Sequence, residues 1–285
     1  MSKMQEKSDP YRISRFTPER LTSLQREVAS YSKAINGLPQ HHSEVLKKRG
    51  WLLPFLFGYD SLLWGRWAYW LEIVEKGTIE NSGPIPQIQW SDMPAKDTNN
   101  MLNRCLQHHE ANIDTFADWL LWGLAATTEA PKISETLNKH YYQKFDLFLV
   151  LDNPTDYLSY LLCDQTGKGY KQGLGYYPTP FNITRMMVQI VHGDGDTDKK
   201  KRQTVYDSCV GCGAMLLPAS NYFLRGYGQD ISGIAVKLCK IQMYWYAPWY
   251  AFPGQVSGFD ASDEIKLVPA KAHKNITDSQ LAFAF

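Results

Sequence analysis

Apolar residues in the first part of the chain recur at steps of three and four residues. The clearest examples are Leu21, Leu24, Val28 and Tyr31, and later Phe116, Leu120 and Leu124. This spacing places apolar side chains on one face of an α-helix, whereas strand-like alternation is scarce here. We therefore predict a helical N-terminal domain over residues 1–165, with helices separated at the glycines and prolines of 77–94 and 129–131.

The last helix of this domain is predicted to begin at Asn153. Asn153 is a favoured N-cap residue, and Pro154 suits the first helical position. Asp156 would lie near the positive end of the helix dipole. The helix would then continue through Leu161 and Leu162.

The pattern changes after residue 165, where short strands alternate with helices. Thr179 and Pro180 predict the start of a helix, whose apolar face consists of Met186, Met187, Ile190 and Val191. Further elements are predicted as strands at Thr204–Tyr206 and Gly226–Gln229, and as helices after Gly213 and from Ser232 to Pro248. Such alternation predicts an α/β domain over residues 166–285, with a parallel sheet and a ligand site at the carboxyl ends of its strands.

The composition and the lengths of the apolar stretches indicate where in the cell the protein is found. The apolar stretches are far shorter than the roughly 20 residues of a membrane span, and the N-terminus has no apolar signal core. We therefore expect a cytoplasmic protein that contacts no membrane, and five cysteines favour reduced thiols over a disulfide framework.

The net charge of +1 neither predicts nor excludes a nucleic-acid partner. The basic run 199–202 is interpreted as a solvated loop, with contact to phosphates as the alternative.

The strongest sign of a ligand site is a predicted strand that ends in Asp207 and turns through Gly211 and Gly213 into a helix. Glycine permits a tight turn and a close approach of the backbone to a ligand, and open amides at a helix start favour an anionic group. A second acid, Asp230, ends the next strand 23 residues later (230 − 207 = 23). A dinucleotide-binding fold holds the ribose hydroxyls of its cofactor at this place. A purely structural turn between strand and helix is the alternative.

Four segments, taken in their order along the chain, carry a resemblance to a known family. They are Gly175–Pro180, Gly211–Leu216, Gly228–Ile231 and Gly258–Asp260. They resemble the adenine-N6 DNA methylases, especially the modification subunits of type I restriction-modification systems. The resemblance implies that a Rossmann-like, S-adenosylmethionine-dependent methyltransferase domain follows the helical domain, and that DNA is its substrate.

Carried over to this chain, the resemblance implies a binding site for S-adenosyl-L-methionine. Tyr177, Thr179 and Pro180 would border the methionine end of the cofactor, above the turn formed by Asp207, Gly211 and Gly213. Asp230 would bind the ribose hydroxyls, Ile231 would stack on the adenine ring, and Asp260 would approach the adenine amino group.

The family holds its target base with an Asn/Asp-Pro-Pro-Tyr/Phe tetrapeptide, and no such tetrapeptide occurs in these 285 residues. The resemblance therefore implies a methyltransferase domain truncated before its catalytic motif and inactive as an isolated chain, so no catalytic residue is assigned. Two alternatives stay open. The protein is one chain of a split methyltransferase, or it is a non-enzymatic decoy that docks onto restriction or modification subunits.

Leu281–Phe285 is interpreted as the fourth strand of the sheet. Without further strands beside it, this segment would be an exposed edge with Leu281, Phe283 and Phe285 on one face. We expect another chain, or the helical domain of the same chain, to cover this edge.

No metal site is expected from the sequence. Cys209 and Cys212 have no second pair of ligands to complete a tetrahedral site. The histidine pairs His41-His42 and His108-His109 are interpreted as ordinary core or surface residues, because adjacent side chains on a helix do not face one ligand.

Overall fold

A computed structural model describes residues 16–165, 178–193, 195–251 and 254–255. These residues are mostly helical, with a small parallel sheet late in the chain. They divide into two compact units, which we call the helical unit (16–62 and 96–150) and the sheet unit (63–95 and the described residues from 151 onward). The structure thus groups 63–95 with the strands, although these residues precede the boundary predicted at 165.

The helices and strands have the following bounds. The first nine helices are α1 Pro18–Ser32, α2 His42–Val45, α3 Leu53–Leu63, α4 Arg66–Lys76, α5 Lys96–Cys105, α6 Ile113–Gly123, α7 Glu135–Lys144, α8 Leu147–Asp152 and α9 Leu158–Gln165. They are followed by α10 Phe181–His192, α11 Thr197–Lys200, β1 Thr204–Asp207, α12 Leu216–Ala219, β2 Arg225–Asp230, α13 Gly233–Tyr246 and β3 Gly254–Gln255. Short 3-10 helices lie at Lys33–Ile35 and Pro248–Tyr250.

Aromatic side chains fill the core of the helical unit. Trp51 and Trp119 are fully buried, with ring centroids 5.3 Å apart, and Phe116 packs 5.2 Å from the ring of Tyr141. The indole of Trp119 donates to Asn138 Oδ1 at 3.0 Å, so its polar atom is satisfied inside the core. The core positions predicted from the helical spacing of 116–124 are therefore confirmed.

The sheet of the sheet unit has the strand order β1-β2-β3, and each neighbouring pair is parallel. Thr204 pairs with Arg225 and Asp207 with Gly228, so both strands run toward the same edge of the sheet. The two predicted strands and their parallel arrangement are confirmed. The helix predicted after β2 is confirmed as well, because the Ser232 hydroxyl accepts from the Ala235 amide at 3.3 Å and caps α13.

A buried arginine ties 63–95 to the rest of the sheet unit. Arg66, the first residue of α4, donates to the Pro86 carbonyl at 2.8 Å, the Ser220 hydroxyl at 2.7 Å and the Tyr246 carbonyl at 2.8 Å. It also donates to Asn221 Oδ1. The guanidinium thereby joins three separate stretches of the chain, and its forked geometry suits this number of acceptors.

The predicted helix start at Asn153 is wrong. Asn153 follows the end of α8, and its carbonyl accepts from the Tyr157 hydroxyl at 2.8 Å. The carbonyl of Pro154 accepts from the Ser91 amide at 2.9 Å, so contacts distant in sequence hold this stretch out of a helix. The cap of α9 is instead supplied by Asp156, whose Oδ1 accepts from the Ser159 amide at 3.1 Å.

The helix predicted after Pro180 exists as α10, but its predicted apolar face is not the face that it buries. Met186, Met187, Ile190 and Val191 are all exposed, with Ile190 at 71% and Val191 at 68% of their full accessibility. The buried side chains of α10 are those of Phe181, Thr184 and Val188. The Phe181 ring packs against Trp90, at 5.7 Å between centroids, and this contact decides which face turns inward.

None of the helices in the described part of the chain is long and apolar enough to cross a membrane.

Candidate functional site

The turn after β1 requires glycine at two positions. Gly211 and Gly213 have φ angles of 53° and 97°, which lie in the region that side chains disfavour. A Cβ on Gly213 would come within 2.5 Å of Met243 Cε and 2.9 Å of Cys239 Sγ. Both side chains belong to α13, so the turn packs closely on this helix.

Most of the backbone amides of this turn are already bonded inside the protein. The donors are Cys209 to Asp207 Oδ1 at 3.0 Å, Val210 to the Gln229 carbonyl at 2.9 Å, Gly211 to Asp230 Oδ2 at 2.9 Å and Gly213 to the Val210 carbonyl at 2.8 Å. These four amides are therefore not open to a ligand, whereas the expectation of open amides at the start of the following helix stays a prediction. The turn is instead a pre-formed surface whose shape is fixed by internal hydrogen bonds.

Asp230 connects the two strand ends directly. Its Oδ2 accepts from Gly211 in the turn after β1, and its Oδ1 accepts from the Ser232 amide at 2.8 Å at the start of α13. A carboxylate has roughly four acceptor positions, so two of them stay available for a ligand. The spacing of the acids along the sequence indicated a common site, but not this bond.

Asp207 lies beside Asp230 at the same edge of the sheet. Burial raises the pKa of the Asp207 carboxyl, and the negative charge of Asp230 raises it further, while the hydrogen bond from Cys209 acts in the opposite direction. The edge therefore combines two acidic groups with a glycine surface. Such an environment favours hydroxyl donors and cationic groups over anions.

The helix predicted to start at Gly213 begins later and is short. Gly213 to Met215 form a turn, and α12 covers only Leu216–Ala219. Pro218 lies within it and provides no amide, so the helical hydrogen-bond pattern cannot continue normally. A helix of four residues has only a small dipole, which further weakens the predicted anion-binding role of this end.

Of the other residues assigned to the cofactor, three are described. Thr179 and Pro180 are exposed and precede α10, and the Pro180 carbonyl accepts from the Thr184 amide at 3.2 Å. Ile231 follows Asp230 directly and is 40% exposed. Tyr177 and Asp260 lie outside the described residues, as does the predicted fourth strand Leu281–Phe285.

Gln242 is a residue near the turn that sequence reasoning missed. It lies on α13, is fully buried, and donates from Nε2 to the Cys212 carbonyl at 2.8 Å and to Asp156 Oδ1 at 2.9 Å. Burial raises the pKa of the Asp156 carboxyl, whose Oδ2 has no hydrogen-bond partner. A glutamine in a helix whose other buried positions are mostly apolar was the available signal.

The basic run 199–202 is not a loop throughout, because Thr197–Lys200 form α11. The ammonium of Lys201 donates to the Gly83 carbonyl at 2.9 Å and pairs with Asp198 at 3.0 Å. Its side chain is only 5% exposed. Lys201 is therefore a structural residue of the sheet unit. Within the basic run, contact with phosphate stays an alternative only for the residues beside Lys201.

In the described part of the chain, one group of three side chains is close enough to hold a metal ion, namely His108, His109 and Glu110 of the helical unit. The two histidines lie in a turn after α5 and not in a helix. The argument that adjacent helical side chains cannot face one ligand therefore does not apply to them. However, His108 Nδ1 accepts from the Glu110 amide at 3.2 Å, and the Glu110 carboxylate accepts from the Ser134 hydroxyl. Because these groups already serve the local fold, we assign no metal to them.

Part of the sheet unit matches a known protein family. A family model described as N-6 DNA Methylase matches residues 153–247. The match begins beside Asp156 and contains the glycine turn, Asp230 and α13. No curated protein sequence matches the chain.

Proposed function

We propose that this chain binds S-adenosyl-L-methionine at the turn after β1, as the cofactor part of an adenine-N6 DNA methyltransferase, because residues 153–247 match the N-6 DNA methylase family model. The bond between Asp230 and the Gly211 amide carries this proposal. It joins the acid that ends β2 to the glycine turn that follows β1. A ligand at this edge would therefore meet an acidic acceptor and a glycine surface together.

The chemistry of this edge favours S-adenosylmethionine over a dinucleotide or another phosphate ester. A phosphate ligand would need free amides, and between Asp207 and Gly213 four amides are already bonded, so this part of the turn offers it few donors. It would also lie near two acids, Asp207 and Asp230. S-adenosylmethionine contains no phosphate, and its sulfonium, ammonium and ribose diol suit acidic acceptors, so its one carboxylate must point away from Asp207 and Asp230.

Each predicted residue has a role in this proposal. Asp230 accepts from the ribose hydroxyls with its remaining lone pairs, Ile231 covers the adenine ring, and the turn with Asp207 lies under the methionine end. Tyr177, Thr179 and Pro180 complete the methionine end, and Asp260 accepts from the adenine amino group. Strands β1 to β3 then form one half of a Rossmann-like sheet, with DNA as the substrate.

The Asp230→Ala variant is expected to bind S-adenosylmethionine roughly ten- to hundredfold more weakly than the wild-type chain. The reason is that hydrogen bonds to a charged acceptor contribute about 1.5–3 kcal/mol. Isothermal titration calorimetry measures the loss. Asp230→Asn, which keeps one acceptor oxygen, should lie between the two.

The exposed carboxylate of Asp164 offers a matched control, and Asp164→Ala should bind like the wild type. Melting curves for all variants separate loss of contact from loss of fold. If the folded wild-type chain binds no S-adenosylmethionine at millimolar concentration, the proposed function is wrong.

We further propose that the 285-residue chain alone transfers no methyl group to DNA, because it contains no Asn-Pro-Pro-aromatic segment to hold the target base. Positioning and electrostatics are most of what such an enzyme contributes, so a partial site should retain no measurable rate. Radiolabelled methyl transfer to adenine-containing duplex DNA tests this. Incorporation by the purified chain would contradict the proposal, and incorporation only after a second polypeptide is added would identify a split enzyme.

The apolar face of α10 favours a second candidate function, a non-enzymatic protein that docks onto restriction or modification subunits. Ile183, Met186, Met187, Ile190 and Val191 form this exposed face. Their spacing follows the helical period, so they present a continuous stripe to solvent. Tight binding to a modification subunit by a chain that binds no cofactor would support this candidate over the first.

A further inference from the structure

Gln242 uses the full hydrogen-bonding capacity of its side-chain amide inside the sheet unit. Its Nε2 donates to Cys212 and Asp156, and its Oε1 accepts from the amides of Tyr157 at 3.0 Å and Leu158 at 3.2 Å. Because the two backbone amides are donors only, the oxygen of Gln242 must face them. Its nitrogen must therefore face Cys212 and Asp156, and the network fixes the orientation of the amide.

The bond to Cys212 fixes a peptide unit between the two glycines of the turn. The carbonyl of this unit accepts from Gln242, and its amide, on Gly213, donates to the Val210 carbonyl at 2.8 Å. Both polar ends of the peptide plane are therefore held. Glycine restricts its own backbone very little, so the conformation of the turn depends on such external bonds.

The same amide also holds the stretch before α9. Asp156 and the amides of Tyr157 and Leu158 all bond to Gln242, and Asp156 in turn caps α9. The distances in sequence are large, since 85 residues separate Tyr157 from Gln242. The start of α9 and the glycine turn are thus held by one buried side chain.

We propose that Gln242 is a positioning residue for the cofactor turn, and that it couples the conformation of the turn to the start of α9. The effect on cofactor affinity rests on the proposed function, whereas the effect on the turn does not. Gln242 does not itself touch the ligand. It acts through the carbonyl of Cys212, which orients the surface between Gly211 and Gly213.

Hydrogen-deuterium exchange of the ligand-free chain tests the structural part of this proposal. Gln242→Met keeps the length of the side chain and removes its hydrogen bonds, so amides in 207–215 should exchange about tenfold faster or more. Ile241→Ala is the matched control, because Ile241 is a fully buried neighbour on α13 that makes no hydrogen bond to the turn. In this control, exchange in 207–215 should change no more than exchange in the rest of the sheet unit.

Calorimetry on the same variants tests the functional part. Gln242→Met should weaken S-adenosylmethionine by about tenfold, and adenosine by clearly less, because adenosine lacks the methionine end that the turn faces. Both ligands are measured at a temperature at which circular dichroism shows a folded chain. Should Gln242→Met fail to fold, Gln242→Asn serves instead, since it keeps the amide but withdraws it by one methylene.

The outcomes separate the two proposals. Unchanged exchange in 207–215 of a folded Gln242 variant would overturn the positioning role, regardless of the affinity measured for S-adenosylmethionine. Faster exchange in a protein whose wild type binds no S-adenosylmethionine would support the role in the turn and contradict the proposed function. Equal losses of affinity for S-adenosylmethionine and adenosine would contradict the assignment of the turn to the methionine end.

Discussion

Replacing Arg66 by methionine is expected to lower the free energy of unfolding by about 3 kcal/mol or more. The substitution keeps most of the apolar stem but removes the donor to the buried Ser220 hydroxyl and Tyr246 carbonyl and to the half-buried Pro86 carbonyl. Asn221 Oδ1 also loses this donor but keeps the Ile88 amide. Each buried polar group that loses its partner costs about 1–3 kcal/mol, and relaxation of the surrounding structure removes only part of this cost. Urea denaturation, followed by circular dichroism, measures the change.

Arg202→Met provides the comparison for this prediction. Arg202 is about half exposed and lies 3.7 Å from Glu80, so its loss should change stability by less than about 1 kcal/mol. Arg66→Lys should be nearly as harmful as Arg66→Met, because an ammonium cannot reach acceptors in the forked geometry of a guanidinium. Equal stabilities of the Arg66→Met and Arg202→Met variants would show that the bonds of Arg66 contribute little.

The sequence was sufficient where short-range chemistry decides the structure. Ser232 caps α13 because its hydroxyl lies within reach of an amide three residues later, and Pro248 follows the end of that helix. Strands β1 and β2 each end in an acid, and their common direction follows from the helical connection between them. The acidic edge beside the glycine turn could therefore be predicted before any contact was known.

Long-range contacts account for the features that the sequence could not provide. Asn153 has every local property of a helix cap, yet the Ser91 amide bonds to the carbonyl of the next residue, Pro154, and the helix starts later. The apolar stripe of α10 follows the helical period, but a period shows only that a face exists. Which face is buried depends on what packs against it, here Trp90 on Phe181.

The candidate site shows the same division. The order of residues along the chain was enough to select four candidate site residues, Asp207, Gly211, Gly213 and Asp230. It did not show that amides of the turn are hydrogen-bonded inside the protein. Donors and acceptors that satisfy each other across the sheet leave no periodic trace in the sequence. For this reason neither the internal hydrogen bonds of the turn amides nor the contacts of Gln242 with the turn could be predicted from the sequence.

Replacing Gly213 by alanine is expected to lower the free energy of unfolding by about 2–4 kcal/mol and to abolish the proposed binding of S-adenosylmethionine. Two effects add here. The φ of 97° is strained for a side chain, and the new Cβ would lie 2.5 Å from Met243 Cε and 2.9 Å from Cys239 Sγ. Because these atoms belong to the packed face of α13, the turn must move away from the helix, and the bond from Gln242 to Cys212 would be stretched.

Gly77→Ala separates strain from crowding. Gly77 also has a positive φ, of 69°, but a Cβ there would meet nothing within 4 Å, so alanine should cost only about 1 kcal/mol. Crowding has a further signature, since Gly213→Ala should cost less in a Met243→Ala background than in the wild type, by about 1 kcal/mol. Chemical denaturation of the four proteins of this cycle gives the coupling. Strict additivity would mean that Met243 does not limit the space beside Gly213, and would leave backbone strain and the contact with Cys239 as the causes of the loss.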